Sequence, residues 1–262
     1  NDAPLSFSAA QTGSQLWEPK NFDGKFEGPM RMRTALVKSK NLVSIRILQA
    51  IGIQYAQDYI TRFGFDSSRH PPYLPMALGS GSVTPMQMAV GYSVFANGGY
   101  RIAPYFIKRI EDEKGNVLEQ FQPITPLNGA KRVIDPRNAF IMTHMMQDVV
   151  NYGTAAKAKQ LGRTDLAGKT GTTSNFVDAW FCGFQKDLVT VAWTGYDEPK
   201  SLGNNETGGR IALPIWMDYM GPVLKGVPMA EYKPPNGILA TKINSATGFR
   251  ESAGDINEYF FS

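Results

Sequence analysis

Two runs rich in β-branched and aromatic residues, 179–184 and 188–196, lie only three residues apart. That spacing predicts a β-hairpin closed by Gln185-Lys186-Asp187. Just upstream stands Gly168-Lys169-Thr170-Gly171-Thr172-Thr173. Residues 170–174 are therefore expected to form a neighbouring strand. Helical patterns flank this core on both sides in the chain, so the expected architecture is an antiparallel sheet with helices packed on it, in the α/β or α+β class.

The helices announce themselves by their ends. Thr84-Pro85 offers an N-cap and a first-turn proline, and Gln87 completes a capping box. Met88, Ala89, Tyr92 and Phe95 follow at helical spacing until Gly98-Gly99. Asp135-Pro136 repeats the signal for a helix through Phe140, Met142, Met145, Met146 and Val149, with Gly153 beyond. The methionines there read as core packing. An earlier helical pattern runs from about Thr34, is punctuated at Ser39-Lys40-Asn41, and resumes through Val43, Ile45, Ile47 and Leu48 to Gly52. Residues 1–33 and 197–209 read as loops. A helix is expected around 214–224, and a last hairpin over 240–250, turning at 244–248.

Several function classes are excluded by what the chain lacks. One cysteine, Cys182, and two histidines, His70 and His144, leave no credible zinc cluster, and no metal or cofactor is expected. Cys182 lies among Trp180, Phe181 and Phe184 and reads as a small core hydrophobe. His70 reads as a loop residue and His144 as helix packing. There is neither a dinucleotide fingerprint nor a phosphate-binding loop. The net charge of +4 is scattered, so nucleic acid is not an expected partner. No stretch approaches the apolar length needed to cross a bilayer.

What remains is a cation and hydroxyls beside small residues. Gly168 and Gly171 let a backbone or ligand come close, while Lys169, Thr170, Thr172 and Thr173 can hold a carboxylate. A strand edge of this kind suits an anionic, peptide-like ligand. Lys-Thr-Gly alone is weak and could be a polar turn. Ser39-Lys40-Asn41 alone reads most simply as Asn41 capping the next helix. Together they are two of the three motifs of penicillin-recognising serine enzymes.

The resemblance extends along nearly the whole chain. It is carried by Trp17-Glu18-Pro19-Lys20-Asn21-Phe22-Asp23-Gly24-Lys25-Phe26, Ser39-Lys40-Asn41, Gly79-Ser80-Gly81-Ser82-Val83-Thr84-Pro85 and Phe95-Ala96-Asn97-Gly98-Gly99. Tyr152-Gly153-Thr154-Ala155, the run from Asp165 to Thr173, Asp178-Ala179-Trp180-Phe181, Gly208-Gly209 and Pro214-Ile215-Trp216 complete it. The chain resembles the transpeptidase domain of class A penicillin-binding proteins, nearest their Gram-negative 1A branch.

That resemblance implies the fold shared by these transpeptidases and the serine β-lactamases. It implies a D,D-transpeptidase on the periplasmic side of the inner membrane, cross-linking peptidoglycan stem peptides that end in D-Ala-D-Ala through an acyl-serine. β-Lactam antibiotics would acylate the same serine. By motif match, Ser39 relays a proton, Asn41 binds the substrate amide, and Lys169 supplies positive charge and poises Ser39. Thr170 and Thr172 hold the substrate carboxylate, Gly171 and Thr173 complete the binding strand, and the Thr172 N–H is half of an oxyanion hole. An outer-membrane lipoprotein activator is an implied partner.

One motif is missing. Ser39 is followed three places on by Leu42, Ser44 by Ile47, Ser68 by Pro71 and Ser174 by Val177, and no serine has lysine at that position. In the family the Ser-x-x-Lys nucleophile precedes the Ser-x-Asn box. Residues 1–262 are thus expected to be the transpeptidase domain without its upstream nucleophile segment, which would be a partner from the same protein. The glycosyltransferase domain and membrane anchor of such proteins would also lie upstream. The alternatives are a D,D-carboxypeptidase or serine β-lactamase, or a non-catalytic penicillin sensor or interaction domain.

Overall fold

The computed structural model describes residues 1–12 and 15–262. Its centre is a three-stranded antiparallel sheet in the order β5-β6-β7: β5 is Ala167–Thr172, β6 Ala179–Gln185 and β7 Leu188–Thr194. The turn between β6 and β7 tightens to Lys186-Asp187, because Gln185 pairs directly with Leu188. β5 begins three residues earlier than the sequence predicts and stops at Thr172. Beyond it, Asn175 and Phe176 have φ of 58° and 54° and turn the chain away.

Helices cover both faces of β6. On one face Phe181 meets Trp216 edge-on at 5.0 Å. Trp216 is fully buried and belongs to α7, Leu213–Val223. On the other, Phe184 meets Tyr92 at 6.4 Å, which lies on α5, Pro85–Ala96. The long α6, Pro136–Tyr152, runs beside β5 and gives Met146 to the α5 side and Val149 and Val150 to the α7 side. Cys182, 2% exposed, packs inside this core as expected, and burial pushes its thiol up to about 12. His144 also packs as expected: burial and Arg33 lower its pKa, and its Nδ1 lies 2.8 Å from Arg33 Nη1.

The predicted helix starts are present. Thr84 Oγ1 accepts the Gln87 N–H at 3.1 Å and Gln87 Oε1 accepts the Thr84 N–H at 2.8 Å. Thr84→Ala removes this reciprocal cap and is expected to cost about 1 kcal/mol in urea unfolding; an unshifted midpoint would contradict it. The early helical pattern resolves into α2, Met32–Val37, and α3, Asn41–Ile51, followed by α4, Ile53–Ile60. Gly52, at φ 90°, breaks α3 from α4.

Other elements were not legible in advance. α1, Ala9–Thr12, is a single turn. Short strands β1 (Tyr100–Arg101) and β4 (Lys131–Arg132) pair, as do β2 (Arg109–Glu111) and β3 (Val117–Gln120). The expected tail hairpin is wider than predicted. β8, Ile238–Ile243, pairs along its length with β9, Ile256–Phe261, while the tight hairpin expected over 240–250 survives as a bridge between Ile243 and Arg250. β9 is pinned to α2 by Glu258, which accepts from Arg33 Nε at 2.8 Å and from Arg31 Nη1 at 3.1 Å.

Candidate active site

β5 is an edge strand, paired among the described residues with β6 alone. Its residues border two cavities. Lys169 and Gly171 share a face with their partners Cys182 and Trp180 and border an apolar cavity of about 660 Å³ reaching Met88 and Tyr92. Thr170 and Thr172 also border a groove of about 450 Å³, whose far wall is Ser39, Asn41 and Phe22. A hydrogen bond joins the two motifs, 130 residues apart: Lys169 Nζ donates to Ser39 Oγ at 2.7 Å.

The turn carrying Ser39 is built between helices. α2 ends at Val37, and Ser39 takes φ 54°, the left-handed region that a side chain with Cβ avoids. Its N–H donates to Leu36 O at 3.1 Å, and the Lys40 N–H to Ala35 O at 2.9 Å. Asn41 is not the cap of α3, which is the simpler sequence reading. It is the first helical residue, and Lys40 occupies the cap position without a side-chain bond. Asn41 Nδ2 instead donates to Lys20 O at 2.9 Å, leaving Oδ1 at the groove to accept an N–H.

On β5 the Lys169 ammonium also donates to Thr170 O at 3.1 Å. Burial lowers its pKa to about 8, because the charged form loses its hydration there. Thr172 Oγ1 accepts the Gly208 N–H at 3.0 Å, so its own O–H remains available to a ligand. Thr173 borders the larger cavity and not the groove. Its Oγ1 accepts the Asp178 N–H at 2.8 Å, which fastens the end of the strand.

The expected close backbone approach is real, and the chain itself makes it. A wide turn at Gly208–Ala212 lays its first residue over the sheet. A Cβ on Gly208 would stand 2.2 Å from Trp180 O and 2.4 Å from Gly171 O.

Thr154 and Arg210 are among the groove residues to which the sequence reading gave no role. Thr154 Oγ1 lies 2.7 Å from Thr170 Oγ1. Arg210, 62% exposed in its side chain, adds a cation at the mouth. Their signals were present, in Tyr152-Gly153-Thr154-Ala155 and in the residue after Gly208-Gly209, but neither stretch states which side chain faces β5. His70, expected in a surface loop, is half-buried in one; its ring stands edge-on to Phe65 and borders the larger cavity.

Residues 7–220 match the penicillin binding protein transpeptidase domain. Penicillin-binding protein 1A of Neisseria lactamica is 52% identical over 240 residues, covering 92% of this chain and 30% of the relative. Penicillin-binding protein 1A of Pseudomonas aeruginosa is 42% identical over 309 residues, covering 99% and 37%. The chain thus spans about a third of the curated relatives it matches. The crystal structure of penicillin-binding protein 1A from Haemophilus influenzae superposes with a TM-score of 0.94 at 32% identity, over 100% of this chain and 44% of that one. An edge strand bearing Lys-Thr-Gly, joined through its lysine to a Ser-x-Asn turn, is found here within a match to the family across most of the chain: it belongs to the penicillin-binding protein transpeptidases.

Proposed function

We propose that this chain is the substrate-holding part of a peptidoglycan D,D-transpeptidase that works through an acyl-serine and is inhibited by β-lactams. The observation that carries the reading is the Lys169–Ser39 bond, which sets a cation, a hydroxyl and the Asn41 amide around one free strand edge. The stem peptide adds to β5 as an extra strand. Its terminal carboxylate is held by the Thr170 and Thr172 hydroxyls, with Arg210 beside them. The Asn41 carboxamide accepts a substrate N–H. The Thr172 N–H stabilises the oxyanion, a contact typically worth about 3 kcal/mol. Ser39, poised by the Lys169 ammonium, relays the proton released by the attacking serine to the departing D-alanine nitrogen, and an amine of a neighbouring stem then takes the acyl group and gives up its own proton.

The attacking serine comes from an upstream segment of the same protein. The apolar cavity beside Lys169 supports this: it lies on the Lys169 side of β5, and the His70 Nε2 at its border is buried with no hydrogen-bond partner among the described residues. A glycosyltransferase domain and a membrane anchor belong to the same upstream part, a reading supported by the chain spanning 30% and 37% of the two 1A relatives it matches. The domain works at the periplasmic face of the inner membrane, and an outer-membrane lipoprotein is a candidate activator.

Fluorescent penicillin tests the reading. The full-length protein should give a covalent band, and peptide mapping should place the label upstream of Asn1. A folded full-length protein without a band would refute the enzyme reading and leave the sensor or interaction domain. Stem-peptide dimers formed with an amine acceptor separate transpeptidase from carboxypeptidase. Ser39→Ala should slow labelling about 10²-fold without abolishing it; complete loss of the band at long times would make Ser39 the nucleophile.

A further inference from the structure

Lys40 stands between Ser39 and Asn41, and its side chain is 2% exposed. Its Nζ lies 2.8 Å from Glu27 Oε1, 3.0 Å from Asp23 Oδ2 and 3.3 Å from Asp2 Oδ2. Asp2 is itself fully enclosed and accepts Asn21 Nδ2 at 2.6 Å and the Glu27 N–H at 3.0 Å. Asp2 and Gly28 also exchange backbone hydrogen bonds at 2.7 and 3.0 Å. Residues 20–28 therefore close around one ammonium.

That loop grips the start of α3 twice more. Asn21 Oδ1 accepts the Leu42 N–H at 3.3 Å, and Lys20 O accepts from Asn41 Nδ2 at 2.9 Å. Asn21, Phe22 and Asp23 then face Thr170 and Thr172 across the groove. One buried cation thus ties together the Ser39–Asn41 turn and the wall opposite β5.

Burying a lysine is a costly way to fasten a loop, and well-packed apolar residues often hold as firmly. Burial works against the charge here, and Glu27, Asp23 and Asp2 more than offset it, leaving the pKa raised. The geometry next door supplies a reason for directed anchoring. Ser39 is held at φ 54°, where only surrounding structure can keep it. Directional ion pairs on the very next residue resist rotation of that turn in a way that apolar contacts do not.

We propose that Lys40 is a positioning residue for acyl transfer: its cluster with Asp2, Asp23 and Glu27 locks the Ser39–Asn41 turn so that Ser39 Oγ and the Asn41 amide face β5. The proposal rests on the acyltransferase reading above. Lys40 touches no substrate and acts through its two neighbours.

The test uses the full-length protein and fluorescent penicillin, with the labelling rate followed against concentration. Limiting rate and half-saturating concentration are then separated. In K40M with D2N, which removes the cation and the buried carboxylate together, the limiting rate should fall about tenfold or more. The half-saturating concentration should move less than about threefold, since Thr170, Thr172 and β5 are untouched. K40R should recover most of the rate. A merely structural role would lower the melting temperature and leave the limiting rate per folded molecule within about twofold of wild type, and that result would overturn the proposal. If the double variant does not fold, E27Q decides, because Glu27 lies at the solvent side of the cluster. A limiting rate reduced about threefold at unchanged melting temperature supports the proposal, and an unchanged rate overturns it. A wild-type protein that takes no label removes the acyltransferase reading and this one with it. A labelled wild type beside an unaffected variant removes this one alone.

Discussion

Replacing Lys169 by alanine in the full-length protein is expected to slow acylation by penicillin about 10²-fold or more while leaving the fold intact. Two hydrogen bonds are lost, to Ser39 Oγ and Thr170 O. The ladder between β5 and β6 uses backbone groups alone and survives. Near-normal acylation by a folded K169A protein would mean that the strand has been misread.

The same residue sets a pH limit. Burial holds its pKa at about 8, against 10.5 for an ordinary lysine. Below about 8 it is an ammonium that donates to Ser39 and presents charge to the substrate carboxylate. Acylation should therefore fall as pH rises through about 8, and a rate that is flat to pH 10 would refute the cationic role. The sign for stability runs the other way. Between about 8 and 10.5 the unfolded chain binds more protons at this position than the folded one. This group's contribution to stability thus rises with pH across that window, and the protonated form is a cost below it. The site keeps a cation where the fold would prefer a neutral side chain, a common condition of functional positions.

Gly208→Ala should be the most damaging single methyl group in the site. Its Cβ would meet Trp180 O at 2.2 Å and Gly171 O at 2.4 Å, both backbone atoms of the central sheet. No rotamer change relieves that contact. The turn must retreat from β5 and give up the bond from its N–H to Thr172 Oγ1. The expected cost is about 1–3 kcal/mol in urea unfolding, with slower penicillin labelling as Thr172 loses its support. A wild-type midpoint together with wild-type labelling would show that the sheet tolerates the displacement.

Local chemistry explains what could be read in advance. A capping box, Asp-Pro helix starts and a glycine stop are interactions over three or four residues, so Thr84, Asp135 and Gly52 each mark a boundary without knowledge of the rest. The β6–β7 hairpin was legible because its turn is short and its runs are rich in strand-forming side chains. β1 to β4 were not, because pairs such as Tyr100 with Arg132 join segments far apart and each strand is two to four residues long. The tail hairpin was placed too tightly for a related reason. Asn244–Phe249 does turn, but the partner strand is chosen later, where Glu258 can reach Arg33 and Arg31.

The site divides in the same way. Residue types alone marked Lys169, Thr170, Gly171, Thr172 and Thr173 as a place to hold an anionic ligand, and the family resemblance added Ser39 and Asn41. Only the tertiary structure could separate Thr173, turned to Asp178, from Thr172, turned to Gly208 and the groove. It alone could bring Thr154, Arg210 and the carboxylates around Lys40 into place. The physical reason is one of range. Capping and strand preference act between near neighbours, whereas the Lys169–Ser39 bond crosses 130 residues and exists only once the core around Phe181, Phe184 and Trp216 has set the strand and the turn side by side.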